Sequence, residues 1–256
     1  MGFRIVIPAR YASTRLPGKP LLPLAGRPLL AHVHDCALAA GADEVLVATD
    51  DSRIAQACAD FGAVAVMTSS DHRSGSERLA EVATMHGWGD YDVVVNLQGD
   101  EPLTPPSIIS QVAEDLLNFA DASVATLCAP IHSASQLNDP HTVKVVRDAA
   151  GYALYFSRAP IPWERDVIGA ESRETPIGWR HIGLYAYRAG FLRRYVELPA
   201  CELESIEKLE QLRVLWHGAR IHVAEAVAVP GHGVDTPEDL HLVAALLAER
   251  QTAPPS

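Results

Sequence analysis

The feature of this sequence that most constrains its fold is the alternation of short Val- and Ile-rich segments with segments of helical pattern. The apolar segments RIVIPA, EVLVATD and AVAVMT are separated by helical patterns over residues 28–40 and 52–61. Further helices are predicted at about 76–85 and 106–119, on either side of YDVVVNLQGD. This order is typical of β-α-β units, in which helices cover both faces of a parallel sheet. We therefore predict an α/β fold.

The pattern changes after Pro130. The segment TVKVVRDAAGYALYFSR predicts two strands around an Asp-Ala-Ala-Gly turn, and HIGLYAYR predicts a strand that places His181 and Tyr185 on one face. Helices over 189–195, 205–216 and 237–250 and a strand near RIHVAEA complete the prediction. The sheet is therefore expected to be mixed but mainly parallel, within a single domain over 1–256.

Composition excludes several classes of protein. With 32 acidic and 21 basic residues and a net charge of -11, the chain has no broad basic face for nucleic acid. No apolar segment approaches the roughly 18 residues of a membrane span. The four cysteines are far apart and lack metal-ligand spacing, so we expect reduced cysteines and a cytoplasmic protein that binds neither nucleic acid nor membrane.

The first loop is cationic, although the chain is acidic. Strand RIVIPA leads into a turn-rich segment that carries Arg10, Arg15, Gly18 and Lys19, and no acidic residue precedes Asp35. Open α/β sheets bind ligands beyond the carboxyl ends of their strands, and cations beside a glycine suit a polyphosphate. The segment matches neither the Walker A pattern nor the Gly-rich dinucleotide pattern. The alternative is a set of solvated surface charges.

Two carboxylates far apart in sequence are candidate metal ligands. Asp100 follows the apolar strand that begins near Tyr91, and Asp235 lies in GVDTPEDL. A carboxylate at a strand's carboxyl end can hold Mg²⁺ against substrate phosphates, because this ion takes only one or two protein oxygens there. The alternative for Asp235 is an N-cap, a role that either Asp235 or Thr236 can fill.

Other polar residues have both a structural and a functional interpretation. Ser74 and Glu77 have the spacing of a capping box, while Ser74, Gly75 and Arg78 suit a pocket for a nucleobase. His181 lies on the polar face of its predicted strand, although an ordinary hydrogen-bonded histidine is the default for a lone one.

Seven segments together carry a resemblance to a known family. They are IPARYASTRLPGKPL, HRSGSERLAE, VNLQGDEP, GYALYFSRAPIPWER, HIGLYAYR, LEQLRVLW and GVDTPEDL. In this order they resemble the 3-deoxy-manno-octulosonate cytidylyltransferases, or CMP-Kdo synthetases. The match extends from about residue 3 to 247 and is loosest at 167–179.

The resemblance implies a three-layer nucleotide-diphospho-sugar transferase-like fold and a Mg²⁺-dependent homodimer. The implied reaction joins CTP and 3-deoxy-D-manno-octulosonate (Kdo) to give CMP-Kdo and pyrophosphate, for lipopolysaccharide biosynthesis. Dimerisation and sugar binding would involve a subregion at about 139–188. Catalytic roles would fall to Arg10, Arg15, Lys19 and Asp100, with Asp100 and Asp235 as metal ligands. Sugar contacts are implied for Gln98, His181, Tyr185, Glu210 and Gln211, with Arg158 and Arg165 as candidates for the Kdo carboxylate.

Three alternatives remain open at this point. Another sugar nucleotidylyltransferase, such as a CMP-sialic acid synthetase, differs only in residues on the sugar side. A non-catalytic nucleotide-binding protein is expected to lack one of Lys19, Asp100 and Asp235, yet all three are present. An NAD-dependent oxidoreductase is disfavoured because the glycine pattern is missing.

Overall fold

The computed structural model describes residues 2–12, 16–72, 74–165 and 176–252. The strands are β1 Phe3–Ala9, β2 Pro23–Leu24, β3 Arg27–Pro28, β4 Glu44–Thr49, β5 Val64–Met67, β6 Val93–Asn96, β7 Val124–Ile131, β8 Lys144–Arg147, β9 Ala153–Ser157, β10 Gly178–Arg188 and β11 Ile221–Glu225. The helices are α1 Leu29–Ala39, α2 Ser52–Asp60, α3 Gly75–Met85, α4 Pro106–Asn118, α5 Ala134–Asn138, α6 Ala189–Tyr195, α7 Glu202–Glu207, α8 Gln211–Trp216 and α9 Pro237–Thr252. A 3₁₀ turn spans Lys19–Leu21.

The central sheet has nine strands, and seven of them follow the order β11-β7-β10-β6-β1-β4-β5. The pairs β6-β1, β1-β4, β4-β5 and β7-β11 are parallel, whereas β10 runs antiparallel to both β6 and β7. The β8-β9 hairpin is attached to the sheet by the pairing of β8 with β10, and it lies outside the order of the other seven strands. The prediction of a mixed, mainly parallel sheet is thus confirmed.

Apolar side chains on both faces of each central strand explain the three layers. Ile5 and Ile7 of β1 join the core under α1, α2, α4 and α9, while Val6 joins the core under α3, α6 and α8. In β6, Val93 and Val95 lie on the first side and Val94 on the second. Strands buried on both faces read as continuous apolar segments, which is why the sequence predicted them.

One predicted helix is wrong. The segment 205–216 is not continuous, because α7 ends before Lys208, whose φ of 56° lies in the left-handed region, and α8 begins at Gln211. The residue pattern gave no glycine or proline to mark this break. The short elements β2, β3 and α5 were also not predicted.

Two further findings bear on the composition argument. Among the described residues no helix is long and apolar enough to cross a membrane. Cys58, Cys128 and Cys201 are buried, Cys36 is partly buried, and none of them forms a disulfide bond in the described part of the chain. Burial raises the pKa of Cys58 and of Cys128 to about 11.

A buried lysine organises the start of the subregion at 139–188. Lys144 is fully buried, and its Nζ donates to the carbonyl oxygens of Asp139 at 2.9 Å, Thr142 at 2.6 Å and Arg158 at 2.5 Å. Three carbonyls use all three ammonium donors, so the charge is fully hydrogen-bonded although it has left water. Lys144 thereby ties β8 to the chain after β9.

We expect Lys144→Met to destabilise the fold. The substitution keeps the volume of the side chain but leaves three carbonyl oxygens without their donor. The free energy of unfolding should fall by about 2–4 kcal/mol, since each unsatisfied buried polar group costs about 1–3 kcal/mol and neighbouring groups relax in part. Urea denaturation of the variant and the wild type measures this loss. An unchanged midpoint and slope would contradict the structural role.

Candidate active site

The candidate site lies at the edge of the sheet where the parallel strands end. β1 ends at Ala9 and leads into the cationic loop, while β6 ends at Asn96 and leads into Gln98 and Asp100. The two loops are close, because a Cβ at Gly99 would lie only 2.9 Å from the carbonyl oxygen of Pro8. A glycine is therefore required at position 99 for this approach.

One ammonium group joins the cationic loop to both predicted metal ligands. Lys19 Nζ lies 2.7 Å from Asp100 Oδ2 and 3.0 Å from Asp235 Oδ1. Gly18, with φ of 68°, precedes the 3₁₀ turn that carries Lys19, and its N–H donates to Tyr11 O at 3.0 Å. Lys19 is thus folded onto the carboxylates, whereas Arg10 is exposed.

The two carboxylate segments are also joined through the backbone. Val234 N–H donates to the carbonyl oxygen of Asp100 at 2.9 Å. A Cβ at Gly233 would meet Glu101 Oε1 at 2.9 Å, so this position also needs a small residue. The structure therefore brings together two side chains that are 135 positions apart, and the interpretation of Asp235 as a site residue gains support.

The N-cap of α9 is Thr236 and not Asp235. Asp239 N–H donates to Thr236 Oγ1 at 3.2 Å, and Thr236 N–H donates to Asp239 Oδ2 at 2.8 Å. This reciprocal pair is a capping box. Asp235 is therefore not needed as the cap, and its carboxylate faces Lys19 instead.

The donor set formed by Asp100 and Asp235 fits a magnesium ion that also binds phosphates. Both side chains offer hard oxygen ligands, and both already converge on one cation. The described residues contain no group of three or more His, Cys, Asp or Glu side chains that would form a metal cage. Mg²⁺ commonly takes one or two carboxylates and completes its shell with water and substrate phosphates.

The loop before α3 caps that helix and also lines a cavity, while its role as a nucleobase pocket stays a prediction. Ser74 is the N-cap of α3, and its Oγ accepts a hydrogen bond from Glu77 N–H at 3.2 Å. Arg78 is buried, where it donates to Thr68 Oγ1 and pairs with Asp50 Oδ2 at 3.3 Å. Ser74 and Arg78 also line a cavity at this edge of the sheet, which is described below as cavity 1. Ser74 therefore caps α3 and forms part of the cavity wall.

Three adjoining cavities occupy this edge, and we number them here. Cavity 1, of about 320 Å³, brings together nine predicted site residues: Arg10, Lys19, Ser74, Gly75, Arg78, Gln98, Asp100, Glu210 and Asp235. Cavity 2, of about 190 Å³, includes His181 and Gln98. Cavity 3, of about 240 Å³, includes Gln98, Tyr185, Glu210 and Gln211. Gln98 lines all three, so it stands where a nucleotide and a second substrate would meet.

The predicted sugar-side residues form a buried aromatic cluster. The rings of His181 and Tyr185 have centroids 5.2 Å apart, and His181 Nε2 lies 3.0 Å from Thr126 Oγ1. Burial lowers the pKa of His181 to about 3, so its imidazole is neutral. Burial first, and then Tyr187, Glu210 and Tyr195, raise the pKa of Tyr185 well above its usual value. This cluster supplies neutral hydrogen-bonding groups suited to hydroxyls.

Two predicted residues are not brought to the cavities. A third, Arg15, lies outside the described residues. Arg158 lines none of the three cavities, and it donates from Nε to Glu207 O at 2.8 Å and from Nη1 to Pro140 O at 2.9 Å. Arg165 is exposed and also lines none of them. The contact of Arg158 and Arg165 with a sugar carboxylate stays a prediction, as does the catalytic role of Arg15.

Glu101 is a site residue that the sequence reasoning did not assign. It lines cavity 2, and burial, together with Asp100 and Asp235, raises its pKa to about 7. The signal was present in the sequence, because Glu101 directly follows Asp100. The sequence did not show that the side chain of Glu101 is shielded from solvent, because the distant segment that contains Gly231 and Gly233 packs near it.

Comparisons with known proteins agree with this geometry. The model of the cytidylyltransferase family matches residues 4–221. A relative from Thioalkalivibrio sulfidiphilus, a 3-deoxy-manno-octulosonate cytidylyltransferase, is 59% identical over 248 residues, which cover 96% of this chain and 99% of the relative. One of the same name from Idiomarina loihiensis is 57% identical over 243 residues, with 94% and 96% covered. The chain therefore belongs to the family of 3-deoxy-manno-octulosonate cytidylyltransferases.

Solved structures extend this result to the fold. The structure of CMP:2-keto-3-deoxy-manno-octonic acid synthetase complexed with CTP superposes with a TM-score of 0.88 at 46% identity, covering 98% of this chain and 100% of that one. A cytidylyltransferase from Leptospira borgpetersenii gives a TM-score of 0.62 at 16% identity, covering 97% of this chain and 87% of that chain. The nucleotidyltransferase-like fold that the resemblance implied is confirmed.

Because Thr236 caps α9 while Asp235 faces Lys19, substitutions at these two positions should have opposite effects on stability and turnover. Asp235→Asn should lower turnover by about 10²-fold or more, because it weakens a group that handles charge at the reacting phosphates. Its free energy of unfolding without Mg²⁺ should stay close to wild type. Thr236→Ala should do the reverse, with a loss of about 1 kcal/mol in stability and retained turnover. Steady-state kinetics and urea denaturation of both variants check this, and a fully active Asp235→Asn enzyme would contradict it.

Glu101 predicts a pH dependence of stability. Its carboxyl titrates near 7 in the folded chain and near 4.5 when unfolded, so between these values the folded state binds more protons. Stability contributed by the protonated group is therefore lost as pH rises from about 4.5 to 7. Glu101→Gln, which cannot ionise, should gain stability relative to wild type across this window in metal-free buffer. Denaturation curves at several pH values measure the difference, and a constant difference would exclude the shift.

Proposed function

We propose that this chain transfers CMP from CTP to Kdo and releases pyrophosphate. The observation that carries the proposal is cavity 1, where Lys19, Asp100, Asp235 and the loop from Ser74 line one space. Membership of the family and the likeness to a synthetase solved with CTP support the same reaction. The Kdo hydroxyl oxygen forms a bond to the α-phosphorus and loses its proton to water. The bond from the α-phosphorus to the oxygen that bridges to the β-phosphorus breaks, and pyrophosphate leaves with that electron pair.

The residues of cavity 1 have separate tasks in this reaction. Arg10 and Lys19 bind the phosphates that leave, where negative charge grows in the transition state. The loop with Ser74 and Arg78 surrounds the nucleobase. Asp100 and Asp235 would hold Mg²⁺, which, when bound, supplies charge neutralisation at the phosphates and lowers the pKa of the attacking hydroxyl.

The sugar would lie against the neutral cluster at cavity 3. Tyr185 and Gln211 offer hydrogen bonds to hydroxyls, and burial first, then Glu204, raises the pKa of Glu210. Gln98 lines both this cavity and cavity 1, so its amide is suited to orient the attacking oxygen toward the α-phosphate. A catalytic histidine is not required, since the neutral His181 serves to position its neighbours.

The finer features of the family belong to the same proposal. We infer a Mg²⁺-dependent homodimer that works in the cytoplasm and supplies lipopolysaccharide biosynthesis. Exposed apolar side chains in the subregion at 139–188, namely Leu154 at 62% and Trp163 at 77% exposure, support a subunit contact there. Three buried cysteines without disulfide bonds, namely Cys58, Cys128 and Cys201, agree with a reducing compartment. Sedimentation equilibrium and a Mg²⁺ titration of activity test these points.

The decisive experiment is pyrophosphate release from CTP with Kdo, compared with sialic acid and sugar 1-phosphates. Of these acceptors, we expect only Kdo to support turnover with CTP. CTP should be preferred over UTP, because an acceptor placed for the cytosine amino group faces a carbonyl when uracil binds. Activity only with a sugar phosphate would overturn the proposal, and equal kcat/KM for the two nucleotides would refute the base pocket.

Lys19→Ala should slow turnover strongly while the chain stays folded. A donor that stabilises developing charge typically contributes 10²- to 10³-fold in kcat, or about 3–4 kcal/mol. The variant also loses the cation between Asp100 and Asp235, so its Mg²⁺ optimum should change as well. Single-turnover kinetics across a Mg²⁺ titration measure both effects. Turnover within about twofold of wild type would show that Lys19 is not at the reacting phosphates.

A further inference from the structure

The carboxylate of Asp239 makes a contact that helix capping does not require. In the capping box of α9, Asp239 Oδ2 accepts a hydrogen bond from Thr236 N–H at 2.8 Å. The same oxygen also accepts one from Asp235 N–H at 2.9 Å. A capping box needs only the first of these bonds, because it joins the acid of the first helical turn to the N-cap. The second bond holds the residue before the cap, which is a proposed metal ligand.

Two consecutive N–H groups fix the backbone at Asp235. Val234, which is fully buried, donates to Asp100 O at 2.9 Å, and Asp235 itself donates to Asp239. The side chain of Asp235 is 55% exposed, so packing does little to set its direction. Its carboxylate nevertheless lies 3.0 Å from Lys19 Nζ. The backbone therefore sets the direction in which this side chain leaves the chain.

Asp239 is itself held in place by a histidine. His232 Nε2 lies 2.6 Å from Asp239 Oδ1, and this nitrogen donates because an ionised carboxylate only accepts. The hydrogen bond from His232 first, and then the N–H of Asp235, hold the pKa of Asp239 well below its usual value. Both carboxylate oxygens are thus engaged. Asp239 lines none of the three cavities, so it can act on the site through Asp235 and not through a substrate.

We propose that Asp239 is a positioning residue, which holds the backbone of Asp235 so that its carboxylate faces Lys19 and Asp100. The inference rests on the proposed function, in which Asp100 and Asp235 would hold Mg²⁺. Groups that orient a metal ligand typically contribute about 10- to 100-fold in metal affinity or activity. The effect would come from the hydrogen bond to the backbone, so a side chain that keeps an acceptor oxygen should replace Asp239.

Calorimetry of CTP binding, without Kdo, tests this without turnover. For Asp239→Ala, the Kd of CTP in Mg²⁺ should rise about 10- to 100-fold, whereas the Kd in EDTA should stay close to wild type. Asp239→Asn should keep the wild-type response to Mg²⁺, because its carbonyl oxygen can accept from both N–H groups and its amide can donate to His232. A loss in Asp239→Asn as large as in Asp239→Ala would overturn the inference, since charge and not the hydrogen bond would then be responsible.

Thr236→Ala is the matched control for the structural role of the capping box. It removes the hydroxyl that accepts Asp239 N–H at 3.2 Å, but it leaves the bond from Asp235 N–H to Asp239 in place. Thr236→Ala and Asp239→Ala should both lower the melting temperature, which also checks that each variant is folded. Only Asp239→Ala should weaken CTP binding in Mg²⁺. Equal weakening in both variants would contradict the inference, because a loosened α9 would then explain it.

Asp235→Asn separates this inference from the proposed function. If Asp235→Asn and Asp239→Ala both keep the wild-type response of CTP affinity to Mg²⁺, the metal role of Asp235 fails, and the inference fails with it. If Asp235→Asn loses the response while Asp239→Ala keeps it, only the inference is removed. Loss in both, with retention in Asp239→Asn and Thr236→Ala, is the expected result.

Discussion

The site depends on one ammonium group placed between two carboxylates. Lys19 comes from the first loop, Asp100 from the middle of the chain and Asp235 from near its end, with separations of 81 and 216 positions along the chain. Two carboxylates this close repel each other, and a cation between them offsets that repulsion. The backbone bond from Val234 to Asp100 and the small residues Gly99 and Gly233 allow the three segments to meet.

This arrangement also explains why an acidic chain begins with a cationic loop. A triphosphate that enters cavity 1 meets Asp100 and Asp235, so its binding requires positive charge from elsewhere in the site. Lys19 cannot neutralise both carboxylates and several phosphate oxygens at once. In the proposed function Asp100 and Asp235 would hold Mg²⁺, which would supply the missing positive charge. The loop cations then serve the leaving group.

Much of the fold and part of the site were predictable from the sequence. The residue pattern predicts strands that are buried on both faces and the loops that follow them. It therefore also predicts that Arg10, Lys19 and Asp100 lie at one edge of the sheet. The pattern does not predict the meeting of Asp100 with Asp235, because it depends on the packing of a segment far along the chain. The residue pattern made each a candidate ligand, and the resemblance to a family placed both at one metal site.

Other features had no local signal. The break at Lys208 needs a left-handed backbone at a residue without a glycine, and tertiary contacts impose it. The burial of Glu101 and of Lys144 likewise comes from distant segments. The contacts of Arg158 also come from distant segments, since it donates to the carbonyl oxygens of Glu207 and Pro140.

The antiparallel strand β10 is the element that distinguishes this site from that of a purely parallel sheet. Parallel strands bring only their carboxyl ends to the ligand edge, whereas β10 brings the residues at its beginning. Side chains alternate between the two faces of a strand, and the register shift between Ile182 and Tyr185 modifies that alternation. Arg180 can therefore line cavity 2 while Tyr185 lines cavity 3. A single strand thus supplies a cation and a neutral histidine to cavity 2 and a neutral tyrosine to cavity 3.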